Sequence, residues 1–171
     1  KNKYLNKNKF DIFNNYDYIW IIEDDCYLNK KSFNDFISEY DNNNADFLIF
    51  GWHKSKKQDK WSHWNKNKVN NDTNNPFFKD NNLNASINQI CRMSPRLVNE
   101  TLNLREKHST FCFHELQFAS IVEENKLSIQ KEQRNDVKLS ALTNDLSNKK
   151  NTNLEINNMV VVHPKKKWYD E

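Results

Sequence analysis

Three consecutive acids, Glu23, Asp24 and Asp25, close an apolar run in the stretch YDYIWIIEDDCYL (16–28), with no basic residue beside them. Neighbouring carboxylates repel one another, so three of them at the rim of a core call for water or a cation. Two or three carboxylates make a hard-oxygen site suited to Mg²⁺ or Mn²⁺, ions that keep coordination positions free for phosphates. Acids just ahead of a helix could instead favour its dipole and stand in solvent. The triplet alone leaves both readings open. Far along the chain, Glu115 in FHEL stands at a helix start and His163 in VVHP at a strand end; by residue type and place alone the first reads as an ordinary first-turn acid and the second as a structural histidine. His114, beside Glu115, reads as a cap or packing residue.

These groups need elements to position them. Tyr18 to Ile22 are β-branched and aromatic and read as a buried strand. The acids then stand at its carboxyl end, where open α/β sheets collect ligands. LNKKSFNDFISEY spaces Phe33, Phe36, Ile37 and Tyr40 as a helix, with Asn29 or Ser32 as its cap. ADFLIFGW (45–52) is a second buried strand, with the only glycine of the chain, Gly51, at its end. Residues 53–82 read as a long polar loop carrying the aromatic groups KWSHW and PFF, and such loops are more often functional than accidental. Trp61 and Trp64, with His63 and Trp52, could stack on a sugar ring or anchor the loop. Both readings stand.

NASINQICRM (84–93) alternates as a strand, and SPRLVNETLNLREKH reads as a helix capped by Ser94 with Pro95 in its first turn. A further helix begins at about His114, LSIQ (127–130) follows as a short strand, and NMVVVHP supplies a last strand that stops at Pro164. Residues 132–157 are polar and suggest a loop with one helical turn. The alternation predicts an α/β domain with a mixed, mostly parallel central sheet flanked by helices. Ile19, Ile21, Phe47, Ile49, Ile90 and Val161 are expected in one core. A chain of 171 residues fits a single domain, 1–171. It starts with Lys rather than Met, and is expected to be a fragment of a longer chain.

Composition excludes several classes. Aromatic residues at 13% argue against disorder although only 36% of the chain is hydrophobic. A net charge of +3 on scattered lysines does not suggest nucleic-acid binding. No apolar segment approaches a membrane span. Cys26, Cys91 and Cys112 are odd in number and lack metal or redox spacing, so they read as reduced core residues.

The order of blocks, from YDYIWIIEDDCYL through ADFLIFGW, KWSHW, QICRMSPRLV and FHELQFASIVEENKLSI to VVHPKKKW, resembles nucleotide-diphospho-sugar transferases of the GT-A type over residues 16–168. The resemblance implies metal-dependent transfer of a sugar from a nucleotide-sugar donor to a glycan or protein acceptor hydroxyl, with Mn²⁺ or Mg²⁺ as cofactor. Carried over residue by residue, it makes Asp25 the metal ligand, sets Glu23 near the sugar-nucleotide with Asp24 in support, and lets His163 complete the metal shell. Glu115 would face the acceptor as general base. Arg92 and Arg96 could reach phosphates, although arginine near a helix start is more often a surface charge. Such transferases first build βαβ units that hold the nucleotide, whereas only 22 residues precede Glu23 here. The alternative is therefore a non-catalytic carbohydrate- or partner-binding remnant of the same fold. A phosphodiesterase using the same carboxylates would need a second acidic motif, and none is evident.

Overall fold

The structure is a computed structural model that describes residues 13, 15–51, 53–55, 84–108, 114–139 and 159–163. The expected aromatic loop groups, with Trp52, Trp61 and Trp64, lie outside the described residues, as does Cys112. Along the chain come β1 (Ile19–Ile22), β2 (Tyr27–Leu28), α1 (Lys30–Ser38), β3 (Phe47–Ile49), β4 (His53–Ser55), β5 (Asn84–Ser86) and β6 (Ile90–Met93). Then follow α2 (Pro95–His108), α3 (His114–Glu124), β7 (Ile129–Lys131), β8 (Val137–Lys138) and β9 (Val161–Val162). None of these helices is long and apolar enough to cross a membrane.

The main sheet has the order β1-β6-β3-β7. It is mixed, as expected, but the ladders are not mostly parallel. In this sheet β6 runs antiparallel to both β1 and β3, while β3 and β7 pair in parallel. β1, β3 and β7 do point the same way; inserting β6 between β1 and β3 is what turns two of the three contacts antiparallel. The stretch read as one strand, 84–93, is two. β5 pairs with β4 in a separate ribbon, while β6 enters the main sheet. Gly51 is needed beside this break, because a Cβ on it would lie 2.3 Å from Ile87 Cβ and 2.9 Å from the Ile87 carbonyl oxygen.

Side chains of successive strand residues point to opposite faces, so the expected single core is two. On one face α1 and the turn after it lay Phe36 and Tyr40 over Leu48, Phe50, Ile90 and Val161, with Trp20 packed against them. Ring centroids there lie 5.1 Å apart for Phe36 and Phe50 and 5.7 Å for Trp20 and Phe36, the range in which aromatic pairs attract. On the other face α2 and α3 bring Leu97, Ile121 and Val122 against Phe47, Ile49, Cys91 and Met93, with Ile21 alongside. Of the six residues expected together, Ile90 and Val161 belong to the first face and Phe47, Ile49 and Ile21 to the second, while Ile19 belongs to neither cluster and lines a cavity.

Local chemistry sets the helix ends. Asn29, not Ser32, precedes α1, and its carbonyl accepts the Phe33 amide at 3.0 Å. Ser94 caps α2 by accepting the Leu97 amide on its hydroxyl at 3.2 Å, with Pro95 opening the helix. α3 ends without glycine. The Leu127 amide reaches back to the Val122 carbonyl at 2.9 Å while Lys126 takes φ 52°, and buried Leu127 packs on the α2/α3 face. Asp46 ties β3, α2 and β7 together, accepting from the hydroxyls of Ser94 and Ser128 and from the Ser128 amide. Burial opposes its charge, but these hydrogen bonds and nearby Arg96 hold its carboxyl below the ordinary value.

Arg92 is neither a surface charge nor placed to reach phosphates. It is 2% exposed on β6, donates to the carbonyls of Tyr40 and Asn43 at 2.6 Å each, and lies 3.7 Å over the Tyr18 ring. Its side chain therefore pins the turn after α1 to the sheet. Arg92→Leu is expected to lower stability by about 1–3 kcal/mol, because both carbonyls lose a charged donor. Urea unfolding measures this, and an unchanged midpoint would mean that water replaces the guanidinium without cost. Arg96 does lie at the surface, 3.8 Å from Asp46.

Candidate metal centre

The acidic triplet leaves β1 at its carboxyl end. The Glu23 amide continues the ladder by donating to the Gln89 carbonyl at 2.9 Å, and the chain then turns through Asp24 and Asp25. That tight turn separates the three carboxylates. Asp24 faces solvent, whereas Glu23 and Asp25 turn toward the short strand β9. β9 pairs antiparallel with β2 in the register Tyr27↔Val162. One step further His163 comes level with Cys26, which explains how residues so distant in sequence meet.

His163 Nε2 lies 2.8 Å from Glu23 Oε2 and 2.8 Å from Asp25 Oδ1, and its side chain is 10% exposed. Glu23, Asp25 and His163 each turn one ligand atom inward, all within 4.8 Å of one another. An imidazole N–H is a single donor and cannot satisfy two carboxylates equally. The opposite ring nitrogen, His163 Nδ1, is buried without a hydrogen-bond partner among the described residues. With the proton on Nδ1, Nε2 presents a lone pair beside two carboxylate oxygens. Three electron-rich atoms would then converge, and a divalent cation is what such a donor set accommodates. The residues fit the ion that the sequence suggested.

Two neighbours from the start of α3 adjoin this group. His114 Nε2 lies 3.1 Å from Glu23 Oε1, so Glu23 stands between two histidines, one at each carboxylate oxygen. Burial holds the His114 imidazole below its ordinary value, against the pull of Glu23. The sequence reading gave His114 no part in the site, and only the fold of α3 against β1 reveals its contact with Glu23. Glu115, 4% exposed, accepts a hydrogen bond from Gln89 Nε2 at 2.9 Å. Burial, with the charge of Glu23 adding to it, pushes the Glu115 carboxyl up to about 7. Gln89 escaped the sequence reading as well, since nothing in INQIC distinguishes it from the many other amides of the chain.

Cys26 donates to the Gln89 carbonyl from 3.6 Å, and burial together with Glu23 and Asp25 pushes its thiol up to about 12. It is a free thiol that fills space, as is Cys91. A cavity of about 480 Å³ lies on the other side of His114, walled by Phe13, Ile19, Ile21, Met93 and Phe118. Its walls are apolar and hold none of the three inward-facing ligand groups.

The raised Glu115 predicts a pH dependence. Its folded value of about 7 exceeds the ordinary 4.5, so between these values the native protein holds a proton that the unfolded chain releases. Stability therefore falls as pH rises through that window. In metal-free buffer the melting temperature of the wild type is expected to decline relative to Glu115→Gln between about pH 4.5 and 7. Calorimetry of the two proteins checks it; parallel curves would mean that Glu115 ionises as it does in water.

Compared with models of protein families, with curated proteins and with solved structures, the chain finds no match.

Proposed function

We propose that the protein is a metal-dependent glycosyltransferase domain that moves a sugar from a nucleotide-sugar donor to a hydroxyl acceptor. The observation that carries this reading is the convergence of Glu23, Asp25 and His163 at the carboxyl end of β1, with Glu115 buried close by. A bound Mn²⁺ or Mg²⁺ supplies positive charge that neutralises a departing diphosphate. Asp25 and His163 would hold that ion, and Glu23, steadied by His114, would fix its place and face the donor. Asp24, outside the cluster, adds only its charge to the turn.

Glu115 supplies the second requirement of the reaction. A base for an acceptor hydroxyl works best with a pKa near the working pH, and a carboxyl held at about 7 meets that condition. The oxygen it deprotonates attacks the anomeric carbon while the diphosphate leaves. Trp61 and Trp64 remain proposed contacts for the sugar.

The test is turnover of nucleotide-sugars in the presence of Mn²⁺, on the full-length protein, run beside a carbohydrate-binding array. Turnover that chelation abolishes supports the transferase. Carbohydrate binding without turnover of any donor replaces it with the non-catalytic remnant.

A further inference from the structure

Gln89 stands between the acidic turn and Glu115 and touches both. Its backbone carbonyl accepts the Glu23 amide at 2.9 Å and the Cys26 thiol at 3.6 Å, while its side-chain Nε2 donates to Glu115 Oε1 at 2.9 Å. It is 5% exposed, and its other amide atom, Oε1, is buried with no partner among the described residues. A buried acceptor without a donor is costly and rare. Its neighbour is a buried carboxyl that becomes a donor on protonation.

We propose that Gln89 is the positioning residue that holds Glu115 in both of its charge states, through Nε2–H when it is a carboxylate and through Oε1 when it has taken up a proton. The inference deepens the transferase reading and rests on it for the purpose of the pair. When Glu115 takes the proton of an acceptor hydroxyl, the acceptor O–H bond breaks and an O–H bond forms on the carboxyl. Gln89 Oε1 then accepts that hydrogen. No atom or charge leaves the amide, so the same side chain is ready for the reverse transfer. The raised value of Glu115 agrees with a carboxyl that is readily protonated. Among the described residues the charge that acts on it is Glu23 from the end of β1, and His114, the preceding residue on its own helix, pairs with that same Glu23. The Gln89 backbone also accepts the Glu23 amide, so one residue bridges the proton-accepting group and the acidic turn.

Infrared spectroscopy of the metal-free protein, without nucleotide-sugar and at mildly acidic pH, reads the pair directly. A protonated-carboxyl stretch that disappears in Glu115→Gln identifies Glu115. In Gln89→Leu that band is expected to shift to higher frequency, as the acid loses its acceptor. Should Gln89→Leu fail to fold, Gln89→Met, unbranched and of similar length, gives the same reading. A band that is missing from the wild type, or that stays in place in the folded Gln89 variant, overturns the pair. Neither measurement involves metal or turnover, so failure of the transferase reading and failure of the pair are told apart.

Discussion

Asp25→Asn is expected to weaken Mn²⁺ binding by more than about 100-fold, since even groups that merely support a metal ligand contribute 10–100-fold. The substitution keeps the size of the side chain and its place in the turn. It removes a full negative charge from an oxygen 2.8 Å from His163 Nε2, and can turn an amide N–H toward the ion instead. In the wild type UDP should tighten Mn²⁺, because its phosphates fill positions that the protein leaves open; in Asp25→Asn that coupling should vanish. Asp24→Asn is the control, since Asp24 points to solvent and lies outside the converging group. Titration of Mn²⁺ with and without UDP decides the matter. Equal affinity in wild type and Asp25→Asn removes Asp25 from the site.

Glu115→Gln separates chemistry from binding. Turnover is expected to fall by roughly 10²-fold or more, the scale of losing a general base. Donor and metal binding should stay close to wild type, because the amide preserves volume and can still accept from Gln89 Nε2. Asp25→Asn, in contrast, should lower donor binding and turnover together. Steady-state kinetics with separate equilibrium binding of donor distinguishes the two patterns. A Glu115→Gln protein that transfers sugar at the wild-type rate excludes Glu115 as the base.

The α1 helix, the Ser94 cap and the start of α3 at His114 were legible in the sequence because each is set by neighbours a few residues away. Phe33, Phe36 and Ile37 share one face of α1 through spacing alone, and Tyr40, in the turn that ends the helix at Ser38, joins the same cluster. Ser94 and Pro95 mark a helix start by local hydrogen bonding and a fixed φ. The position of the acids just past β1 was legible for the same reason. The direction of β6 was not, since an apolar run carries no information about its pairing partner. Nor was the division of the core, which follows from side-chain alternation only once the sheet is covered on both faces. Arg92 shows the limit most clearly. Its position on β6 faces the aromatic layer, and the turn after α1 supplies carbonyls that make burial of a guanidinium tolerable.

The sequence by itself determined that three carboxylates stand at a strand end, and the resemblance in the order of its blocks added Glu115 and His163 as expectations. What only the tertiary structure decided was their meeting. The antiparallel register of β2 and β9 carries His163 back to the turn that follows β1, 138 residues after Asp25 by count of the chain. The packing of α3 brings His114 and Glu115 to the same place, and Gln89 joins them to Glu23. Distances of 2.8–3.1 Å between such groups depend on pairing and packing across the whole domain, and no local pattern of residues specifies them.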